Sequence, residues 1–288
     1  MTPRTRPVAL FTGVGRAVGI GAGIALRLAA DGWDVASNYW DPYDERMPWG
    51  RRATDVKSMR DAGPDTIAVL ADLERTDAPE GLFDAVEAGL GPVTALVLAH
   101  CESADSGLMH TSVESFDRHF AVNARASWLL ITEFATRYRG QPGAGRIVAL
   151  TSDHTVGNLP YGASKGALDR IVIASARELA LLRITANVID PGQVDTGWTS
   201  PDQLAGVIRS NPRGRAGRPS DIASLVAFLC SPDGEWINGQ LLDAGSGLPV
   251  LAGRGVDQRP TAGRGQRPSC ARRTGSGSTA NCWTRAAA

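Results

Sequence analysis

Apolar positions along the chain gather into short runs separated by longer amphipathic stretches. Residues 8–12 form a β-rich run followed at once by glycines, and residues 20–30 then read as a helix. Further strand candidates are residues 33–39, 66–70, 95–99, 146–151, 184–189 and 240–242, which makes seven in all. Strands alternating with helices imply right-handed βαβ crossovers and an α/β fold. The expected architecture is one doubly wound, mainly parallel sheet with helices on both faces. Residues 41–52 make a longer and more aromatic connection than a strand-to-helix loop usually does. For Trp40, Tyr43 and Trp49 the default reading is packing within that loop. Capping a ligand and lining a subunit contact are the alternatives.

Composition adds a division to this pattern. The chain has 288 residues with 30 basic and 30 acidic side chains, so its formal charge is zero. From Ala252 onward there are seven arginines and one acid, Asp257, a local charge of +6 that leaves −6 on residues 1–251. That last stretch lacks apolar periodicity and is rich in Arg, Gly, Ser and Pro. Such a composition cannot bury enough surface to offset ordering entropy. One folded domain over residues 1–250 and a disordered Arg/Gly-rich tail over 251–288, dispensable for the fold, are expected. The tail has Trp283 as its only aromatic residue and no repeated Arg-Gly-Gly pattern, so a nucleic-acid partner is not expected. No apolar run is long enough to span a membrane, and no secretory leader is read at the N-terminus. The four cysteines show no CxxC spacing, and the four histidines (His100, His110, His119 and His154) show no metal-ligand spacing. A cytoplasmic protein without a metal is the reading.

Two motifs carry chemistry. The first is the glycine cluster after the first strand, Thr12-Gly13-Val14-Gly15-Arg16-Ala17-Val18-Gly19-Ile20-Gly21. Glycines there let the backbone turn sharply and approach a pyrophosphate at a helix N-terminus. A Gly-rich turn serving only strand–helix packing is the competing reading. The second motif is Tyr161-Gly162-Ala163-Ser164-Lys165. Four residues apart on a helix, the phenol and the ammonium share a face. A nearby cation favours phenolate and lowers the tyrosine pKa, as acid–base work near neutrality requires. Against 28 arginines the chain has only two lysines, Lys57 and Lys165, which singles out Lys165.

With these residues in view, the stretch from about Pro7 to Val250 resembles the short-chain dehydrogenase/reductase family, with a general layout like its 3-oxoacyl-carrier-protein reductases. The family's glycine loop corresponds to Thr12, Gly13, Gly19, Ile20 and Gly21, with two extra residues before Gly19. Its Tyr-x3-Lys pair corresponds to Tyr161 and Lys165, its serine to Ser152 and its asparagine to Asn123. Asp72 matches the aspartate near the adenine, and Pro191, Gly192 and Thr196 match the loop that holds the nicotinamide. The resemblance implies a Rossmann-type sheet and hydride transfer between a nicotinamide cofactor and a carbonyl or secondary alcohol, the substrate being small or carrier-bound. It implies Asn123, Ser152, Tyr161 and Lys165 as the catalytic set, with Asn123 anchoring a relay water. Gly15, Arg16, Tyr39, Trp40, Leu73, Ala99 and Val194 join the cofactor-binding set. A homotetramer or homodimer is also implied.

Departures from the family pattern narrow this expectation. Leu98-Ala99-His100-Cys101 stands where the family has Asn-Asn-Ala-Gly, which removes a strand-bracing asparagine and places a larger residue by the cofactor ribose. Tyr161 follows Ser152 by nine residues, a shorter loop than in typical members. The substrate pocket is therefore individual, with Asp153, His154 and Trp198 as candidate wall residues. The second strand ends in Asn38-Tyr39-Trp40, with Asp41 arriving slightly late, and Arg16 in the glycine loop could pair a 2′-phosphate, a solvent-facing arginine being the competing reading; NADP(H) is favoured over NAD(H). A catalytically silent NAD(P)-binding sensor or scaffold is the competing reading.

Overall fold

The computed structural model describes residues 6–50, 66–154 and 156–246. The tail expected over 251–288 lies outside the described residues, as does the second lysine, Lys57. Seven strands form the sheet: β1 (Val8–Thr12), β2 (Asp34–Tyr39), β3 (Thr66–Leu70), β4 (Val93–Leu98), β5 (Arg146–Leu150), β6 (Thr185–Asp190) and β7 (Leu241–Asp243). Their order is β3-β2-β1-β4-β5-β6-β7, and every pairing is parallel. The order reverses between β1 and β4, and the crevice beyond the strand C-termini at such a reversal is where this architecture binds ligands.

Eight α-helices are seen among the described residues. They are α1 (Ile20–Ala30), α2 (Asp41–Arg46), α3 (Ala78–Gly89), α4 (Val113–His119), α5 (Ala126–Arg137), α6 (Leu159–Glu178), α7 (Pro201–Ser210) and α8 (Pro219–Cys230). Leu10, Leu96, Leu98 and Ile147 face one side of the sheet and pack with Phe83 of α3, Phe134 of α5 and Val172 of α6. Phe11, Val97, Val148 and Ile189 face the other side and meet Ile24 and Leu28 of α1 and Val226 of α8. Both faces of β1, β5 and β6 are therefore covered, and every residue of these strands is buried. Strands buried on both faces tend to apolar runs, and β1 and β5 follow this beyond Arg146, whereas β6 also buries Thr185, Asn187 and Asp190. Truncating a fully buried ring such as Phe11 to alanine costs roughly 3–5 kcal/mol. No helix among the described residues is long and apolar enough to cross a membrane.

Candidate active site

Helix α6 brings Tyr161 and Lys165 one turn apart at the C-terminal edge of the sheet. Lys165 is 2% exposed, and its ammonium lies 5.9 Å from the Tyr161 ring centroid. It donates to the backbone oxygens of Leu150 at 2.9 Å and His100 at 3.3 Å. Two of its three donors are thereby fixed on strand-end carbonyls. Burial lowers the Lys165 pKa below the ordinary lysine value. Ser152, just past the end of β5, hydrogen-bonds the Tyr161 phenol and accepts from the His154 amide at 3.2 Å. The depressed tyrosine pKa expected from the spacing is not what this environment produces. Burial pushes the phenol up, the Cys101 thiol adds to this, and the Ser152 hydrogen bond opposes it. Desolvation outweighs a lysine whose charge is directed at carbonyls.

Asn123 sits in a π-helical turn, Phe120–Arg125, between α4 and α5, where the Ala126 amide reaches back to the Ala121 oxygen. Widened turns of this kind recur at functional sites. The Asn123 side chain is fully buried. Its Oδ1 accepts from the Glu102 amide at 2.7 Å, while Nδ2 donates to the Glu102 oxygen at 2.9 Å and to Ser164 Oγ at 2.8 Å. Both amide protons are spent on protein partners. Asn123 thus ties the 101–105 loop to α6, and its side chain has no proton left for a relay water. Its backbone oxygen accepts from Ser127 Oγ at 2.8 Å.

The missing strand-bracing asparagine has a replacement. His100 Nδ1 lies 2.6 Å from Thr12 Oγ, and Nε2 lies 3.0 Å from the Val122 oxygen. The imidazole thus links the ends of β1 and β4 to the π-helical turn, so the brace is supplied by a different side chain rather than weakened. His119 is structural in a similar way, its Nε2 accepting from the Ala104 amide at 3.0 Å.

A cleft of about 410 Å³ runs from the glycine loop to Tyr161. Gly13, Gly15, Arg16, Gly19, Ile20 and Gly21 line one end of it, with Trp40, Asp72, Leu73 and Ala99 beside them. Pro191, Gly192, Val194 and Thr196 line the opposite wall, and Ser152, Tyr161 and Lys165 lie at its base. Of the expected cofactor set, Thr12 and Tyr39 are not among the lining residues. The Thr12 hydroxyl is turned to His100 instead. Gly13, at φ +74°, cannot be replaced, because a Cβ there would stand 2.4 Å from the His100 Cα. Helix α1 opens on Gly19 with no side-chain cap and no acid in its first turn. These uncapped amides, the glycine backbone and the buried ammonium suit an anionic dinucleotide. Among the described residues, no cluster of His, Cys, Asp and Glu is arranged to hold a metal.

Asp153, His154 and Trp198 all line this cleft, and the His154 ring meets the Tyr161 ring edge-on at 6.2 Å. The aromatic connection after β2 does more than pack on itself. Tyr43, Asp44, Arg46 and Trp49 all line the cleft, and Trp49 stacks on Trp198 with ring centroids 5.3 Å apart. Their unusual density of aromatic and charged groups was the available signal, but nothing in the sequence said where that segment folds.

Comparison with known proteins agrees with this geometry. The family model described as enoyl-(acyl carrier protein) reductase matches residues 13–248. An uncharacterized oxidoreductase of Bacillus subtilis, YjdA, is 31% identical over 86% of this chain and 99% of its own length. The NADPH-dependent aldehyde reductase-like chloroplastic protein of Arabidopsis thaliana is 33% identical over 85% of this chain and 95% of its own. Among solved structures, the angucycline C-6 ketoreductase LanV with bound NADP superposes with a TM-score of 0.72 at 30% identity, covering 84% of this chain and 95% of that one. By motif, topology and these likenesses, the chain is an oxidoreductase of the short-chain dehydrogenase/reductase family.

Proposed function

We propose that the protein is an NADP(H)-dependent carbonyl reductase acting reversibly on a ketone and its secondary alcohol. The convergence of Ser152, Tyr161 and Lys165 at the base of the glycine-lined cleft carries this reading. A nicotinamide dinucleotide bound there would supply the hydride. Tyr161 donates the proton to the carbonyl oxygen, and Ser152 donates a hydrogen bond to the same oxygen as charge develops on it. Lys165, anchored on Leu150 and His100, keeps one donor for the cleft and holds Tyr161 beside a fixed positive charge. Asn123 positions the 101–105 loop and α6 relative to each other.

NADP(H) is supported over NAD(H) by Arg16 in the glycine loop, and by the NADP or NADPH named for the LanV and Arabidopsis relatives. For the substrate, His154, edge-on to Tyr161, and Trp198 on the same cleft favour a ketone carried on a ring system over a bare 3-oxoacyl chain. The test is loss of reduced-nicotinamide absorbance with NADPH and with NADH across cyclic, polycyclic and 3-oxoacyl ketones. Turnover with NADPH supports the proposal. Tight NADPH binding with no turnover on any ketone would move the reading to a silent sensor.

A further inference from the structure

The glycine loop, which in this fold receives a dinucleotide phosphate, is covered by the chain's own residues 40–50. A Cβ at Gly15 would stand 2.3 Å from Asp44 Oδ2, so that carboxylate rests directly on the loop backbone. Asp44 is 8% exposed, and its Oδ1 accepts from Trp49 Nε1 at 2.9 Å. The Trp49 ring stacks on Trp198 with a 15° interplanar angle, and the Arg16 guanidinium lies over it at 4.4 Å. Arg16 in turn donates to the Thr196 oxygen at 2.8 Å. This set of contacts joins the glycine loop, residues 40–50 and the 191–199 loop across the mouth of the cleft. Deeper inside, the Tyr43 hydroxyl is shielded from solvent beside the Cys101 thiol and close to Tyr161. Arg46 fastens the segment with two bonds to Glu102, at 3.2 Å and 2.9 Å.

A helix N-terminus preceded by a glycine loop attracts one anion, and two anions cannot share the cradle. Helix α1 carries no acid of its own in its first turn, and the Asp44 carboxylate lies against the preceding loop at Gly15. We propose that residues 40–50 are a strap competing with the dinucleotide for the cleft. Asp44 is the internal anion on the glycine loop, Tyr43 fills the space beside Tyr161, and the Trp49–Trp198 stack is the latch. Cofactor entry requires Asp44 and Trp49 to swing off the loop. This rests on the dinucleotide-binding reading given above.

The experiment is amide hydrogen exchange on the full chain with and without saturating NADP+, paired with calorimetric affinity for NADP+. Competition requires residues 41–50 to exchange faster with NADP+ while residues 13–21 exchange more slowly. Asp44→Asn, which keeps shape and removes charge, should bind NADP+ about tenfold more tightly, a change of ~1.4 kcal/mol. Slower exchange in both segments, or weaker binding by Asp44→Asn, would mean that the strap closes on the cofactor, and the proposal is overturned. If the native chain binds no NADP+ at all, the dinucleotide reading fails and the strap proposal fails with it.

Discussion

The Thr12 hydroxyl and the His100 ring meet at 2.6 Å, buried where the adjacent strands β1 and β4 end. Nε2 faces the Val122 oxygen and Ser127 Oγ, whose own proton goes to the Asn123 oxygen, so Nε2 carries the proton and Nδ1 accepts from Thr12. Burial, aided by the Lys165 ammonium, holds this imidazole neutral and lowers its pKa to about 3. The same residue braces the sheet with its ring and offers Lys165 its backbone oxygen.

Stability should depend on pH through this residue. An unfolded chain protonates its imidazole near about 6.5. From there down to about 3 the unfolded state binds more protons than the folded state at His100. Its contribution is therefore complete above about 6.5 and is lost as pH falls through that window. Thermal melts near pH 8 and near pH 5 should show a steeper loss of Tm for the native chain than for His100→Gln. Equal losses would contradict the neutral, buried assignment.

Asn123→Ala removes the partners of the Glu102 amide, the Glu102 oxygen and Ser164 Oγ together. Leaving buried backbone groups without partners costs about 2–3 kcal/mol, which lowers Tm by roughly 5–10 °C in a domain of this size. Cofactor affinity should change less than turnover, since the loop and α6 lose their mutual register. A variant with native Tm would remove the clamp role.

Lys165→Met keeps the apolar stem and deletes the ammonium. The Leu150 and His100 oxygens then lose their donor. Turnover should fall by at least about a hundredfold and NADP+ binding should weaken, while the sheet stays folded. Lys165→Arg should not rescue it, because the planar guanidinium does not reproduce two donors converging on strand-end carbonyls. Native kcat in either variant contradicts the role given to Lys165.

The raised Tyr161 pKa sets the pH profile in each direction. Burial favours the protonated phenol, so carbonyl reduction should be nearly flat around neutrality. Alcohol oxidation needs the phenolate and should climb with rising pH. Ser152→Ala deletes the hydrogen bond that lowers this pKa, which moves the rise to higher pH. An oxidation rate that falls as pH increases would contradict this assignment.

The sheet is legible in the sequence because its central strands β1, β4 and β5 are apolar runs with little interruption. The limits differ by one or two residues, with β4 beginning at Val93 and β2 at Asp34. Tyr161 and Lys165 are legible for a local reason, being one turn apart on one helix. What depends on distant partners is not. His100 reads as a lost asparagine until the fold brings it to Thr12, and the effect of burial on Tyr161 cannot be taken from its spacing to Lys165. Trp49 reads as loop packing and Asp44 draws no attention, because nothing local places them against Trp198 and Gly15.

Tyr161 is assigned delivery of the proton in a nicotinamide-dependent carbonyl reduction. The direct measurement is NADPH oxidation with a ketone by the native chain and by Tyr161→Phe, alongside calorimetric binding of NADP+ to both. The variant should retain NADP+ affinity while its turnover falls by about a thousandfold. Equal turnover by the two proteins would contradict it.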